Sequence, residues 1–234
     1  MKKKLLLWIW CLLGLPLLGM TQESQGPGKP YWKSGSEFIF SLGDVDAGAV
    51  STSPIMRFSG FFHLQQEMHY DFNQSFGFYT GIGIRNVGMI NELNDSLKLK
   101  QRAYGLGIPV AVKIGNMKGF HVSAGAEAEL FFHYKQKLFY DDEKFKQDEW
   151  FSDRINLFNP SVFLELNSRK GSYIRFKYYL LDFLVEDKQV VKLFGTKYPY
   201  FPESSKLFYV SIGTKLITDK NRRKRGSSNT SAGL

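Results

Sequence analysis

In the stretch FHVSAGAEAELFFHY, residues 120–134, two glutamates, two histidines and a serine alternate with apolar side chains. The even positions read Phe120, Val122, Ala124, Ala126, Ala128, Leu130, Phe132, Tyr134, and the odd ones His121, Ser123, Gly125, Glu127, Glu129, Phe131, His133. Successive side chains on a strand point to opposite faces, so one face is wholly apolar and the other mostly polar. A helix would spread both sets around its circumference. The stretch predicts a strand of about fifteen residues, far beyond the five or six usual in a globular protein.

The same alternation recurs. Over 57–72 the even set is Phe58, Gly60, Phe62, Leu64, Met68, Tyr70 and Phe72, interrupted by Gln66, against Ser59, Phe61, His63, Gln65, Glu67 and His69. Residues 76–85 set Phe76, Phe78, Ile82 and Ile84 against Gly77, Tyr79, Gly81, Gly83 and Arg85. Residues 104–114, 173–180 and 207–216 repeat the pattern, while 37–43 and 155–166 follow it less regularly. Asn159-Pro160 marks an expected bulge, where proline is tolerated. Eight strands result. The connections DFNQS, NMKG and NSRKGS are short and turn-like. Those over 44–56, 86–100, 136–153 and 186–206 are long. Short turns at one end and long loops at the other are the asymmetry of an outer-membrane barrel.

The first residues fix the compartment. Lys2, Lys3 and Lys4 precede the apolar run LLLWIWCLLGLPLL, and small residues follow before Gln22. That is a secretory leader, 1–21. A linker is expected over 22–35, the barrel over 36–218 and a basic, disordered tail over 219–234. Cys11 is the only cysteine and falls in the leader, so the mature chain has no disulfide. Trp10 stands before Cys11 where lipidation needs a small residue. No later run reaches the length of a membrane helix.

The net charge of +9 is mostly terminal. The leader holds three of the 31 basic residues, leaving 28 against 22 acids, or +6. The tail holds five bases and one acid, +4, so the body carries only +2. The excess sits in a tail without aromatic platforms, which excludes a nucleic-acid surface.

A soluble lipocalin-like barrel would put the apolar set inside. Here the polar face is crowded with glycine, including Gly77, Gly81, Gly83, Gly105, Gly107, Gly125 and Gly213, which suits a narrow interior. The fold class is therefore all-β: an eight-stranded antiparallel up-and-down transmembrane β-barrel, expected as a monomer in the outer membrane of a Gram-negative bacterium. YGLGIPVAVKIG (104–115), with an Ile-Pro pair mid-strand before a lysine, resembles the strand signature of PorT-like outer-membrane barrel proteins. FGFYTGIGIRNVG (76–88) and FNPSVFLEL (158–166) are similar to flanking strands of that family. The resemblance implies an eight-stranded barrel linked to protein secretion across the outer membrane. It supplies no catalytic motif.

The polar face sets Glu67, Glu127, Glu129 and Glu165 against Arg85, Lys113, Lys135, Arg175, Lys177 and Lys215. An eight-stranded interior has room for side chains alone, and isolated buried charges are prohibitively costly. These residues are expected to pair in a filled, non-conducting lumen. His63, His69, His121 and His133 fall on the same face, but none has the i,i+2 spacing that pairs imidazoles on one strand; no metal or cofactor is assigned. Ser123 and His121 neighbour each other there, but no orienting partner for a nucleophile–base pair is legible, so a lipid-modifying enzyme is the weaker alternative. The long loops mix acids, lysines and aromatics, which suits a protein or glycan partner. The reading that follows is a structural or interaction protein. The alternative is a component of a secretion machine.

Overall fold

The computed structural model describes residues 27–46, 52–94, 97–140, 143–194, 196–199 and 202–217. The leader and the basic tail lie outside these residues. Eight strands form the wall: β1 Pro30–Asp46, β2 Leu64–Asp71, β3 Phe76–Asn94, β4 Leu97–Gly115, β5 His121–Tyr140, β6 Phe158–Asn167, β7 Ser172–Tyr179 and β8 Ser204–Ile217. Each pairs antiparallel with the next. β8 then pairs with β1, from Lys33↔Ile217 to Asp46↔Ser204, and closes the ring. Closure removes the sheet edges, which in lipid would leave backbone groups without partners.

One end is finished by tight turns. Asn73 Oδ1 accepts from the backbone N–H groups of Ser75 and Phe76, both at 2.8 Å, and Asn116 Oδ1 accepts from that of Lys118 at 3.0 Å. Gly171, at φ +84°, completes the Ser168–Ser172 turn in a conformation that favours glycine. β1 begins and β8 ends at this same end.

The other end departs from the expected long loops. β3 and β4 continue into one hairpin, paired as far as Asn94↔Leu97. β5 runs on to Tyr140 and pairs there with a further strand, Glu143–Trp150. Most of 86–100 and 136–153 is therefore strand. Val190–Leu193 and Thr196–Pro199 form a separate small hairpin. The linker expected over 22–35 is also partly wall, since Pro30–Ser36 pairs with Leu64–Tyr70.

Three local irregularities decide which way side chains point. The expected strand 57–72 is broken: Ser53–Ile55 pairs with β3, Arg57–Ser59 pairs with β1, and β2 resumes at Leu64. Four residues, 60–63, lie opposite Glu37 and Phe38, an even insertion that leaves the parity of faces unchanged. In β5 the register shifts from Tyr104↔His133 to Gly105↔Phe131, so Phe132 is a single-residue bulge and parity inverts above it. Tyr134, Gln136 and Leu138 are consequently buried inside, whereas Tyr134 was expected on the apolar outer face. At Pro160 the expected bulge is absent, because the β5–β6 register is continuous through Ala128↔Pro160. The Pro160 carbonyl accepts from Leu180 N at 2.9 Å, just beyond β7, so the missing N–H costs only the last rung of that ladder.

Candidate functional site

The interior is built in two layers. Towards the tight turns lies a network of charged side chains from all eight strands; above it lies an apolar cluster.

Glu37 on β1 accepts from Arg85 Nε at 2.8 Å, Tyr173 OH at 3.1 Å and Ser211 Oγ at 2.6 Å. Arg85 also contacts Glu127, which takes Lys177 Nζ at 2.8 Å. Lys177 bridges to Glu129, whose second oxygen accepts from Tyr179 OH at 2.8 Å. Arg175 donates to Glu165 through Nε at 2.9 Å and Nη2 at 2.6 Å, and lies 3.5 Å from both Glu37 and Glu67. Lys215 joins Glu165 at 2.6 Å to Glu67 at 3.0 Å. At the turn end Asp71 holds Lys113 and accepts from Tyr31 OH at 2.9 Å.

All these charged groups are buried. The buried acids among the described residues are Glu37, Glu67, Asp71, Glu127, Glu129 and Glu165, and the network's cations are Lys33, Arg85, Lys113, Arg175, Lys177 and Lys215. Six of each make the lower lumen electroneutral, the condition for burying so many charges without leaving one uncompensated. Glycine makes the space: a Cβ on Gly107 would lie 2.1 Å from Glu127 Oε1, and one on Gly213 2.5 Å from the Tyr173 ring.

Nine of the ten residues expected in this network are in it. Lys135 is not: the Phe132 bulge turns it outward, between Arg102 and Asp148. Sequence reasoning missed Lys33, Glu37 and Asp71. The signal for Glu37 was present, since Phe38, Phe40 and Leu42 mark the even face of β1 as outer. Asp71 is one further step along the odd series that ends at His69.

The histidines separate. His69 Nε2 lies 3.0 Å from Glu67 in the network. His63 meets Ser59 Oγ at 2.8 Å. His133 turns outward beside Tyr104, a correction to its expected lumen position. Ser123 Oγ accepts from Asn167 Nδ2 at 3.1 Å. Among the described residues no three His, Cys, Asp or Glu side chains converge as metal ligands.

Above Tyr179 the lumen turns apolar. Phe131 packs against Tyr179 and edge-on against Phe183, with Val87, Met89, Leu99, Tyr134, Leu138 and Leu207 around them. Ile155, Phe183, Leu184 and Val191 come from connections that fold inward. Arg154 is held among them by Gln147 at 2.9 Å, by Gln136 and by the Val190 carbonyl at 2.7 Å.

Outside, the sign is reversed. Leu64, Ile82, Ile108, Val110, Ile114, Leu130, Phe158, Phe176 and Ile212 are exposed on successive strands. From Tyr104 to Ile114 this stripe is roughly 25 Å tall at ~3.3 Å per residue and a tilt of about 40°, the height of a barrel's lipid-facing band. Tyr70, Phe72 and Phe76 cluster at its lower rim. Phe62, Tyr104, His133, Trp150 and Phe132 form a contiguous row at its upper rim. A closed sheet with an apolar, aromatic-rimmed exterior and an ionic interior is a transmembrane β-barrel.

No family model matches the chain, and no curated protein is similar to it in sequence. Solved structures similar to it are outer-membrane barrels. Neisserial surface protein A is 10% identical, with 81% of this chain and 99% of that one covered, at a TM-score of 0.43. OprG of Pseudomonas aeruginosa is 10% identical, with 83% and 99% covered, at 0.40. The attachment invasion locus protein Ail of Yersinia pestis is 11% identical, with 80% and 99% covered, at 0.34.

Proposed function

We propose that this chain is a monomeric barrel of a Gram-negative outer membrane whose lumen is filled and does not conduct. In this reading it acts as a structural or interaction protein through its long-hairpin end. The observation that carries the reading is the two-layer interior. A conducting pore needs a continuous aqueous path, and here an electroneutral network is followed by an apolar cluster built partly from inward-folding connections. The hydrocarbon-facing stripe, the aromatic rims and the secretory leader support the location. Protein purified in detergent and reconstituted in a planar bilayer is expected to show no steady current, and an ohmic channel would overturn the closed lumen. The PorT-like resemblance of 104–115 supports a more specific role, as a component of a secretion machine. Crosslinking through Lys188, exposed in the connection between β7 and β8, in intact cells is expected to capture secretion components on that reading. Capture of lipid alone would remove it.

A further inference from the structure

Followed upward along the outer face, the chemistry of the wall changes in a fixed order. β4 presents Ile114, Val112, Val110, Ile108 and Leu106, then Tyr104, then Arg102, Lys100 and Lys98. The bulge at Phe132 brings Lys135 and Lys137 of β5 to the same face, and the next strand adds Lys144 and Lys146. Register sets these cations directly opposite one another. Lys100 faces Lys137, Lys137 faces Lys146, and Arg102 faces Lys135. Like charges opposed across a ladder destabilise a sheet. Among the described residues compensation is confined to the borders of the face: Lys98 pairs with Glu92 at 2.8 Å, and Asp148 stands across from Lys135. Among the described residues no carboxylate comes within ion-pair distance of Lys100, Arg102, Lys137, Lys144 or Lys146. Beneath them the Arg57 guanidinium, 2% exposed, bonds only to Asn86 and leaves its Nε without a partner. Burial, then Arg57, Arg102, Lys137 and Lys144, hold the Lys100 ammonium below the ordinary lysine range. Among the described residues, therefore, no carboxylate balances these five cations.

The placement says what does. Two residues along a strand tilted about 40° rise ~5 Å, so Arg102 and Lys135 stand roughly 5 Å above the Tyr104 rim and the Lys100–Lys137–Lys146 row roughly 10 Å above it. Aromatic rims sit at headgroup level, and the cations look outward, over the same lipids that the stripe below them touches. A protein partner would have to dock sideways into the headgroup layer to reach them. We infer that the outward face of β4, β5 and the Glu143–Trp150 strand is a binding site for the phosphate groups of a phosphorylated glycolipid of the surrounding outer leaflet. Arg102 and Lys135 form its lower row, and Lys100, Lys137 and Lys146 form its upper row.

The inference rests on the transmembrane reading above, and its test separates the two. Full-length protein is folded into zwitterionic detergent, with heat-dependent gel mobility as the check on the barrel. Loss of that mobility shift in the wild type would sink the membrane-barrel reading and leave the lipid site unsupported with it. With the barrel intact, diphosphoryl lipid A is titrated while thermal unfolding and native mass spectra are recorded. Wild type is expected to retain the lipid and unfold at higher temperature, with a smaller rise for monophosphoryl lipid A. The variant Lys100→Gln/Lys137→Gln/Lys146→Gln is expected to bind about a hundred-fold more weakly, from three cations near an anionic surface. Without lipid it is expected to be no less stable than wild type, because the opposed charges are gone. Lys206→Gln, away from this face, serves as the control and is expected to bind as wild type does. Triple-variant affinity within about two-fold of wild type would overturn the site, since three such charges cannot contribute so little. Tight binding of heparin with none of lipid A would also overturn it, in favour of a sulfated glycan.

Discussion

Arg175 is the member of the lumen network whose removal is most informative. Its side chain is fully buried and meets three carboxylates: Glu165 through two bonds of 2.9 and 2.6 Å, and Glu37 and Glu67 at 3.5 Å. Its guanidinium lies 5.1 Å from the ring centres of Phe163 and Tyr173, so Arg175→Met keeps most of the packing and deletes the charge. The lower lumen then holds six carboxylates and five cations. Breaking a buried pair by removing one partner costs ~3–5 kcal/mol. Glu37 keeps Arg85, and Glu165 and Glu67 keep Lys215, so a value of about 3 kcal/mol is expected. The charge excess, not the lost volume, should carry that cost. Adding Glu165→Gln restores balance at five and five and should recover about 1–3 kcal/mol relative to Arg175→Met alone, the coupling usual within one network. Urea titration of the barrel in lipid vesicles, followed by tryptophan fluorescence and gel mobility, gives both values. A cost below about 1 kcal/mol for Arg175→Met, or two costs that simply add, would refute the premise that a desolvated, balanced network fills the lumen.

Glu127→Ala is expected to cost less than Arg175→Met in the same titration, because Arg85 retains Glu37 and Lys177 retains Glu129. A larger loss would mean that the contacts are unequal in a way that charge balance does not capture. Val110→Arg, on the exposed stripe, should destabilise the barrel by ~2–4 kcal/mol if Val110 lies near the bilayer midplane, and a neutral result would mean that this face meets water. Asp182 lies beyond β7, where its carboxylate accepts from Ser205 N at 2.7 Å, Ser204 Oγ at 3.2 Å and Lys206 Nζ at 2.9 Å. Partial burial raises its pKa, but these bonds and the Lys206 charge outweigh it and hold the group below the usual aspartate value. Its contribution is therefore complete above the unfolded aspartate pKa and lost as pH falls through the lower folded one. Hydrogen exchange at Phe183 and Leu184 should be slow near neutrality, faster in Asp182→Asn, and pH-independent in that variant across the acid range once intrinsic rates are divided out.

Strand alternation made the barrel legible because lipid outside and a narrow lumen inside impose opposite demands on neighbouring residues. The signal survives wherever register is regular, as at Glu67, Arg85, Lys113, Glu127, Glu129, Glu165, Arg175, Lys177 and Lys215, all of them buried. It was weaker in β1, where small residues at Ser34, Gly35 and Ser36 interrupt the pattern, and Lys33 and Glu37 went unseen there. The hairpin extensions look like loops in the sequence because above the headgroups both faces of a wall carry polar residues. Alternation does not disappear there; it changes from apolar against polar to cationic against mixed, as in Lys98, Lys100, Arg102 against Leu99, Gln101, Ala103.

At the Phe132 bulge counting by parity gives the opposite answer, and the reason joins the interior to the exterior. Without it, odd positions would continue inward and bring Lys135 and Lys137 into a lumen that already holds its six carboxylates and six cations, with Arg154 also buried above them. Tyr134 and Leu138 would point outward, and the apolar cluster would lose two of its walls. One extra residue avoids both costs. It sends Tyr134, Gln136 and Leu138 into the upper lumen, where Tyr134 accepts from Gln101 at 2.8 Å and donates to Gln136 at 3.0 Å. It also turns the two lysines out to stand beside Arg102 and Lys100. Deleting Phe132 should therefore fail twice, loosening the upper lumen and depleting the outer basic face. By contrast, deleting Phe61 and Phe62 from the even insertion keeps the parity of both faces and removes only Phe62 from the upper rim; in the urea titration it should cost less than deleting Phe132, and the reverse order would refute the parity argument.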